Sequence, residues 1–218
     1  MTIYGRAGTL KSWLMIDLAF AIAGGHKWLE TFQTRKSSVL IVQAEQTEWQ
    51  YQKRVIKYCQ NRNGKTPDNI YFDNDLELKL DGFAGLQAIL DDIKERKPDV
   101  VILDCLYQLV SGSVANEMDL KRFKDNVDKL RHQYKISFII IHHTRKHYSE
   151  DDQGIEEMLT SSVFGNWLDT IVRIRGVPAN ADQPTVIQMD FQKVKDAEEE
   201  VQALRVGFDR ETTQFHWR

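Results

Sequence analysis

The run Gly5-Arg6-Ala7-Gly8-Thr9-Leu10-Lys11-Ser12 has the residue types and spacing of a phosphate-binding loop. The general pattern is a glycine, four residues, then glycine, lysine and a serine or threonine. Backbone amides of such a loop, and of the helix it opens into, point at phosphate oxygens. Lys11 is then placed to neutralise the β- and γ-phosphates of a nucleoside triphosphate such as ATP, and the Ser12 hydroxyl to ligate Mg²⁺. Leu10 stands where the pattern has its second glycine, so a Cβ occupies a point where the backbone normally needs freedom. The alternative reading of the run is a glycine-containing turn that caps a helix.

Acids and imidazoles at the ends of apolar runs supply the remaining chemistry. Val100-Val101-Ile102-Leu103 ends in Asp104. At the C-terminal edge of a parallel strand, Asp104 lies in the crevice where α/β sheets bind ligands, placed to support Mg²⁺. Its alternative is a turn-forming Asp. Glu45 follows the run 39–42 through Gln43-Ala44, as a general base for an attacking water or as a cap on the next helix. His142-His143-Thr144 ends a further apolar run. Neighbouring strand residues face opposite sides, so the two histidines do not share a metal, and no run of the sequence has the spacing of a zinc motif. His143 is the one placed to contact a γ-phosphate or the nucleophilic water, with His142 packed.

These residues must be positioned by an alternating series of elements. Residues 12–23 are apolar on nearly every face and predict a helix buried against a sheet, closed by Gly24-Gly25. The continuous apolar runs 38–42, 100–103 and 136–141 predict strands covered on both faces. Helical spacing recurs over 47–60, in Leu86, Ile89, Leu90 and Ile93, and in Leu120, Phe123, Val127 and Leu130, while 70–72 predicts a short strand. The order β-α-β-α-β-α-β predicts a parallel sheet with helices on both faces. Beyond it, 170–175, 185–193, 201–208 and 214–217 are short alternating runs between turns, expected as antiparallel strands on one edge. Met1-Thr2-Ile3-Tyr4 is short for the strand before a phosphate loop, so either a trimmed first strand or one completed by residues upstream is expected.

The composition bounds the class. The 218 residues, 42% hydrophobic and 28% charged, suit one α/β domain over 1–218. A formal net charge of −3 confines any nucleic-acid contact to a local surface. Two cysteines, Cys59 and Cys105, make no disulfide framework, and no run approaches a membrane span. A cytoplasmic protein without membrane contact is the expectation.

Taken together, residues 5–12, Ala44-Glu45, 100–104 and His142-His143-Thr144 resemble the RecA-like ATPases, nearest the RepA-type hexameric plasmid and phage helicases, with DnaB replicative helicases and KaiC-like proteins further off. The resemblance covers residues 4–208. It implies a RecA-like three-layer α/β sandwich, its sheet mostly parallel with an antiparallel C-terminal extension. It further implies ATP hydrolysis with Mg²⁺ in a hexameric ring acting on single-stranded DNA. By resemblance, Glu45 is the catalytic carboxylate and Asp104 the metal-supporting aspartate. Ser161-Ser162, with Asp169, resembles the serine segment after the fourth strand. Lys193-Val194-Lys195 resembles the Lys-x-Arg pair that reaches a neighbouring subunit's γ-phosphate. Lys195 departs from that pattern, since lysine lacks the planar fork of arginine. Arg173 and Arg175 are alternative sources of the cation, or plain strand residues.

The loops 111–119 and 145–160 are candidates for contact with a single strand. Arg145, Lys146, His147 and Tyr148 offer charge and an aromatic platform, but Glu150, Asp151, Asp152, Glu156 and Glu157 crowd the same loop. Arg54 is read either as stacking on an adenine or as a surface arginine. The competing functions are a nucleotide-binding switch or scaffold with weak ATPase activity, a filament-forming recombination mediator and, more distantly, a kinase.

Overall fold

A computed structural model describes residues 1–62, 64–114, 116–144, 162–177 and 185–217. The described elements run β1 (Thr2–Gly5), α1 (Lys11–Gly24), β2 (Val39–Gln43), α2 (Glu48–Gln60), β3 (Ile70–Asp73), α3 (Phe83–Arg96), β4 (Val100–Asp104), α4 (Glu117–Tyr134), β5 (Ser137–His143), α5 (Ser162–Trp167), β6 (Thr170–Val177), β7 (Thr185–Val194), β8 (Leu204–Asp209) and β9 (Gln214–Trp217). The nine described strands join one sheet in the order β3-β2-β4-β5-β1-β6-β7-β8-β9.

Strands β3 through β6 in that order pair in parallel, and β7, β8 and β9 follow antiparallel. One detail differs from the sequence expectation. The run at 170–175 is not antiparallel to its inner neighbour; β6 lies parallel to β1, with Thr2 opposite Ile171 and Tyr4 opposite Arg173. Alternation reports which face of a strand is buried, whereas strand direction follows from how the chain returns to the sheet. The antiparallel extension therefore begins at β7.

The apolar runs form strands because both faces are covered. On one face Ile3, Ile41, Ile102 and Ile141 pack with Leu14, Met15 and Leu18 of α1 and Val55 of α2. On the other, Leu40, Val42, Leu103 and Ile140 pack with Ile89 and Ile93 of α3 and Phe123 and Val127 of α4. Each such buried side chain contributes on the order of 1.5–3 kcal/mol. Helix α1 ends in a left-handed cap at Gly25, whose N–H bonds Ala21 and Ile22 carbonyls. Asn116 caps α4 by accepting from the Met118 and Asp119 amides.

This register positions the site. Gly5, Gln43, Asp104 and His143 each lie two residues beyond a side chain of the α1-facing core, so they project on the same face. Gln43 stands directly opposite Asp104, and Gly5 opposite His143. All four sit at the C-terminal ends of parallel strands. Among the described residues, no helix is long and apolar enough to cross a membrane.

Candidate functional site

The loop between β1 and α1 wraps around the Lys11 side chain. Lys11 is only 3% exposed, and its Nζ donates to the carbonyls of Gly5 (2.8 Å) and Arg6 (2.7 Å) and to Thr9 Oγ1 (3.3 Å). Burial lowers its pKa to about 8, against the pull of the Asp104 carboxylate. Gly5 has no space for a side chain, since a Cβ there would sit 2.2 Å from the Ile174 carbonyl oxygen. Helix α1 begins with no side-chain cap and no acidic residue in its first turn. Its first backbone bond runs from Leu14 N to Leu10 O (2.9 Å), which leaves the Lys11, Ser12 and Trp13 amides without an acceptor in the helix. An uncapped helix start with a lysine beside it is suited to an anion.

Leu10 itself adopts the left-handed conformation (φ 63°) that glycine would supply, and its side chain is buried in the α1-facing core. The left-handed backbone costs about 1–2 kcal/mol, and burial of the leucine contributes about 1.5–3 kcal/mol in return. Leu10→Gly should therefore restore the familiar pattern while lowering unfolding stability by about 1 kcal/mol, because lost packing outweighs relieved strain. Urea denaturation tests this; a variant more stable than the parent would show that strain dominates.

Asp104 is 1% exposed, and neither carboxylate oxygen has a hydrogen-bond partner of good geometry. Burial pushes its pKa up to about 6, only partly offset by the Ser12 hydroxyl. The folded state thus holds the proton more tightly than the unfolded chain. Between about pH 4 and 6 the unfolded chain binds fewer protons, so stability falls as pH rises, and the cost is complete above 6. Asp104→Asn removes the buried charge. It should stabilise the ligand-free protein at pH 7.5 by at most about 3 kcal/mol, with the gain vanishing towards pH 4. Urea midpoints of both proteins at pH 4.5 and 7.5 measure this, and a gain independent of pH would contradict it.

Glu45 leaves the end of β2 and reaches the end of β5, where His143 Nε2 donates to its Oε2 at 3.2 Å. That hydrogen bond holds the Glu45 carboxyl below its ordinary range, so it is ionised at neutral pH. Gln43, which was not among the sequence candidates, fixes the turn. It is fully buried, and its Oε1 accepts the Glu45 and Gln46 amides at 2.8 Å each. A polar residue closing an otherwise apolar strand was the available signal. Tyr51 of α2 is buried beside Asp104, and burial raises its pKa. Arg54 lies 5.2 Å above the Trp13 ring and is among the charges acting on Glu45 and Asp104. It is half-buried at the site, not a freely solvated surface arginine. His142 faces the opposite core, 4% exposed, and burial lowers its pKa to about 4.

The fold thus brings residues 5–12, Glu45, Asp104 and His143 together, but not every candidate. Lys193 pairs with Ile171, and hence lies at the Thr2 end of the sheet, away from the loop after Gly5. Its Nζ donates to the Gly165 (3.1 Å) and Asn166 (3.5 Å) carbonyls at the end of α5. Lys195 pairs with Asp169 at 3.4 Å. Arg173 and Arg175 lie towards the phosphate-loop end, Arg175 bonded to Asp190 at 2.8 Å. In the loop 111–119, Asp81 accepts from the Ser111 amide and hydroxyl. Ser161 and the loop 145–160 lie outside the described residues.

A family model described as an AAA domain matches residues 1–149. Among solved structures, one described as an ATPase domain is similar over 100% of this chain and 84% of its own (TM-score 0.74, 12% identity). A DnaB-like replicative helicase, solved for its interactions with primase, is similar over 99% of this chain (TM-score 0.73, 12% identity). The chain spans 57% of that helicase's length. No curated protein sequence matches it. At this identity the likeness is one of fold, whereas the family match covers most of the chain: the protein belongs to the AAA domain family, and its ATPase domain has the RecA-like fold of helicase ATPase domains.

Proposed function

We propose that this chain hydrolyses ATP and couples the reaction to movement along, or remodelling of, single-stranded DNA as a subunit of a hexameric ring. The observation that carries the hydrolytic reading is the convergence of a buried lysine, a buried unpartnered carboxylate and an ionised Glu45 hydrogen-bonded to His143, at the ends of β1, β4, β2 and β5. The amides opening α1 bind the phosphates, and Lys11 neutralises them. Glu45, oriented by Gln43 and His143, takes the proton of the attacking water.

The site suits Mg²⁺. The orphaned oxygens of Asp104 and the Ser12 hydroxyl beside them are hard oxygen donors, and these two residues would hold the ion. When bound it supplies charge neutralisation for the phosphates. Lys193 and Lys195, at the far end of the sheet from their own loop, act on the neighbouring subunit's nucleotide. A demonstrably monomeric sample with fast turnover would refute that role. The likeness to a replicative helicase fold supports single-stranded DNA as the track. A second reading, a switch with weak turnover, is favoured by Lys195, which lacks the arginine fork and is held by Asp169.

Steady-state ATPase activity with and without single-stranded DNA tests the proposal, with Lys11→Ala as the blank. Activity that rises with DNA is expected. Activity indifferent to DNA moves the reading to the switch, and activity equal to the blank despite nucleotide binding removes the hydrolytic role.

A further inference from the structure

The cluster around Glu45 has a chemistry that phosphate hydrolysis does not use. One ligand atom from each of Glu45, Asp104, Cys105 and His143 lies within 4.8 Å of all the others. Mg²⁺ takes hard oxygen ligands and keeps several waters. A thiol and an imidazole beside two carboxylates form instead the mixed donor set of a tetrahedral zinc-class site. No contiguous stretch of sequence carries this set; the ends of β2, β4 and β5 assemble it.

We propose that Cys105 Sγ, His143 Nε2 and the carboxylates of Asp104 and Glu45 bind a borderline-soft divalent cation of the zinc class in the nucleotide-free protein. Independent support comes from Asp104, which is 1% exposed, has two unpartnered oxygens and is aimed into the cluster. Bonds of about 2.0–2.3 Å to a tetrahedral ion require the ligand atoms to close by roughly 1 Å. The partners able to move are the exposed ones: side-chain exposure is 38% for Glu45 and 25% for His143, whereas Asp104 and Cys105 are buried. The two carboxylates offset the charge of Lys11, which acts on both. On binding, the Cys105 thiol proton passes to solvent, the His143 Nε2 proton shared with Glu45 is displaced to Nδ1 or to solvent, and metal–sulfur and metal–nitrogen bonds form, with no change of oxidation state. The ion occupies Asp104, Glu45 and His143 at once, so it competes with magnesium nucleotide. That competition, but not the metal binding, rests on the hydrolytic reading above.

Co²⁺ is the probe, because its bond to a thiolate gives a sulfur-to-metal charge-transfer band in the near ultraviolet. Nucleotide-free wild type titrated with Co²⁺ should develop this band together with the visible bands of a tetrahedral ion, and Zn²⁺ should abolish both. Cys105→Ser should lose the charge-transfer band, while Cys59→Ser, altered far from the cluster, keeps it. His143→Gln should weaken Co²⁺ binding at least ~10-fold and provides a second variant should Cys105→Ser fold poorly. In turnover assays, Zn²⁺ should raise the apparent KM for magnesium ATP, with Cys105→Ser at least ~10-fold less sensitive. Absence of the band in wild type, or its survival in Cys105→Ser, overturns the site. A protein that forms the band but does not hydrolyse ATP retains the metal site and loses only the competition.

Discussion

Lys11→Ala should lower ATP turnover by at least ~10²–10³-fold, the loss typical when a preorganised donor to developing charge is removed. It should weaken nucleotide binding as well. The argument begins with burial. Lys11 is 3% exposed and holds the Gly5 and Arg6 carbonyls and the Thr9 hydroxyl around its ammonium. Phosphate entry replaces those neutral acceptors by charged ones, and each hydrogen bond to a charged group is worth about 1.5–3 kcal/mol. Alanine removes the cation and releases the loop that the cation organised. Calorimetric titration with ATP and steady-state turnover measure the two effects separately. A melting temperature close to that of the parent excludes global unfolding, since the apolar strands on either side do not depend on the ammonium. Turnover within a few fold of the parent would mean that the loop is a helix cap and no phosphate site.

Glu45→Gln should separate binding from chemistry. A positioned general base contributes roughly 10²–10⁴-fold, so turnover should fall by that factor while nucleotide affinity stays near the parent's. The reason is geometric. Glutamine has nearly the same shape, can still accept from His143, and leaves the clamp of Gln43 on the Glu45 and Gln46 amides untouched. Only the ionised oxygen disappears, and its ionisation at neutral pH is what the His143 hydrogen bond secures. Rapid-quench measurement of a single turnover checks that the lost step is hydrolysis and not product release. Undiminished turnover would remove Glu45 from the mechanism and leave the bound water to be oriented by other groups.

Most of the elements, and most residues of the candidate site, were legible from local residue pattern. The phosphate loop is local: its spacing is a property of residues 5–12, and the helix it opens needs only the next turns. Asp104 and Glu45 were legible as candidates because buried parallel strands are continuous apolar runs, and a carboxylate that ends such a run, or follows it within two residues, stands at the C-terminal edge of the sheet. What required pairing across the sheet was not legible in local pattern. The bond between Glu45 and His143 joins residues 98 positions apart, and it exists because β4 lies between β2 and β5 in the strand order. Only long-range packing could show that Leu10 accepts a left-handed backbone in exchange for burial, that Gln43 clamps the turn carrying Glu45, or that Cys105 shares a cluster with His143. The same holds for Lys193 and Lys195, set at the far end of the sheet by the reversal from β6 to β7. Local pattern records which face of an element is buried; strand order and register, fixed by burial summed over the whole chain, decide which of those elements meet.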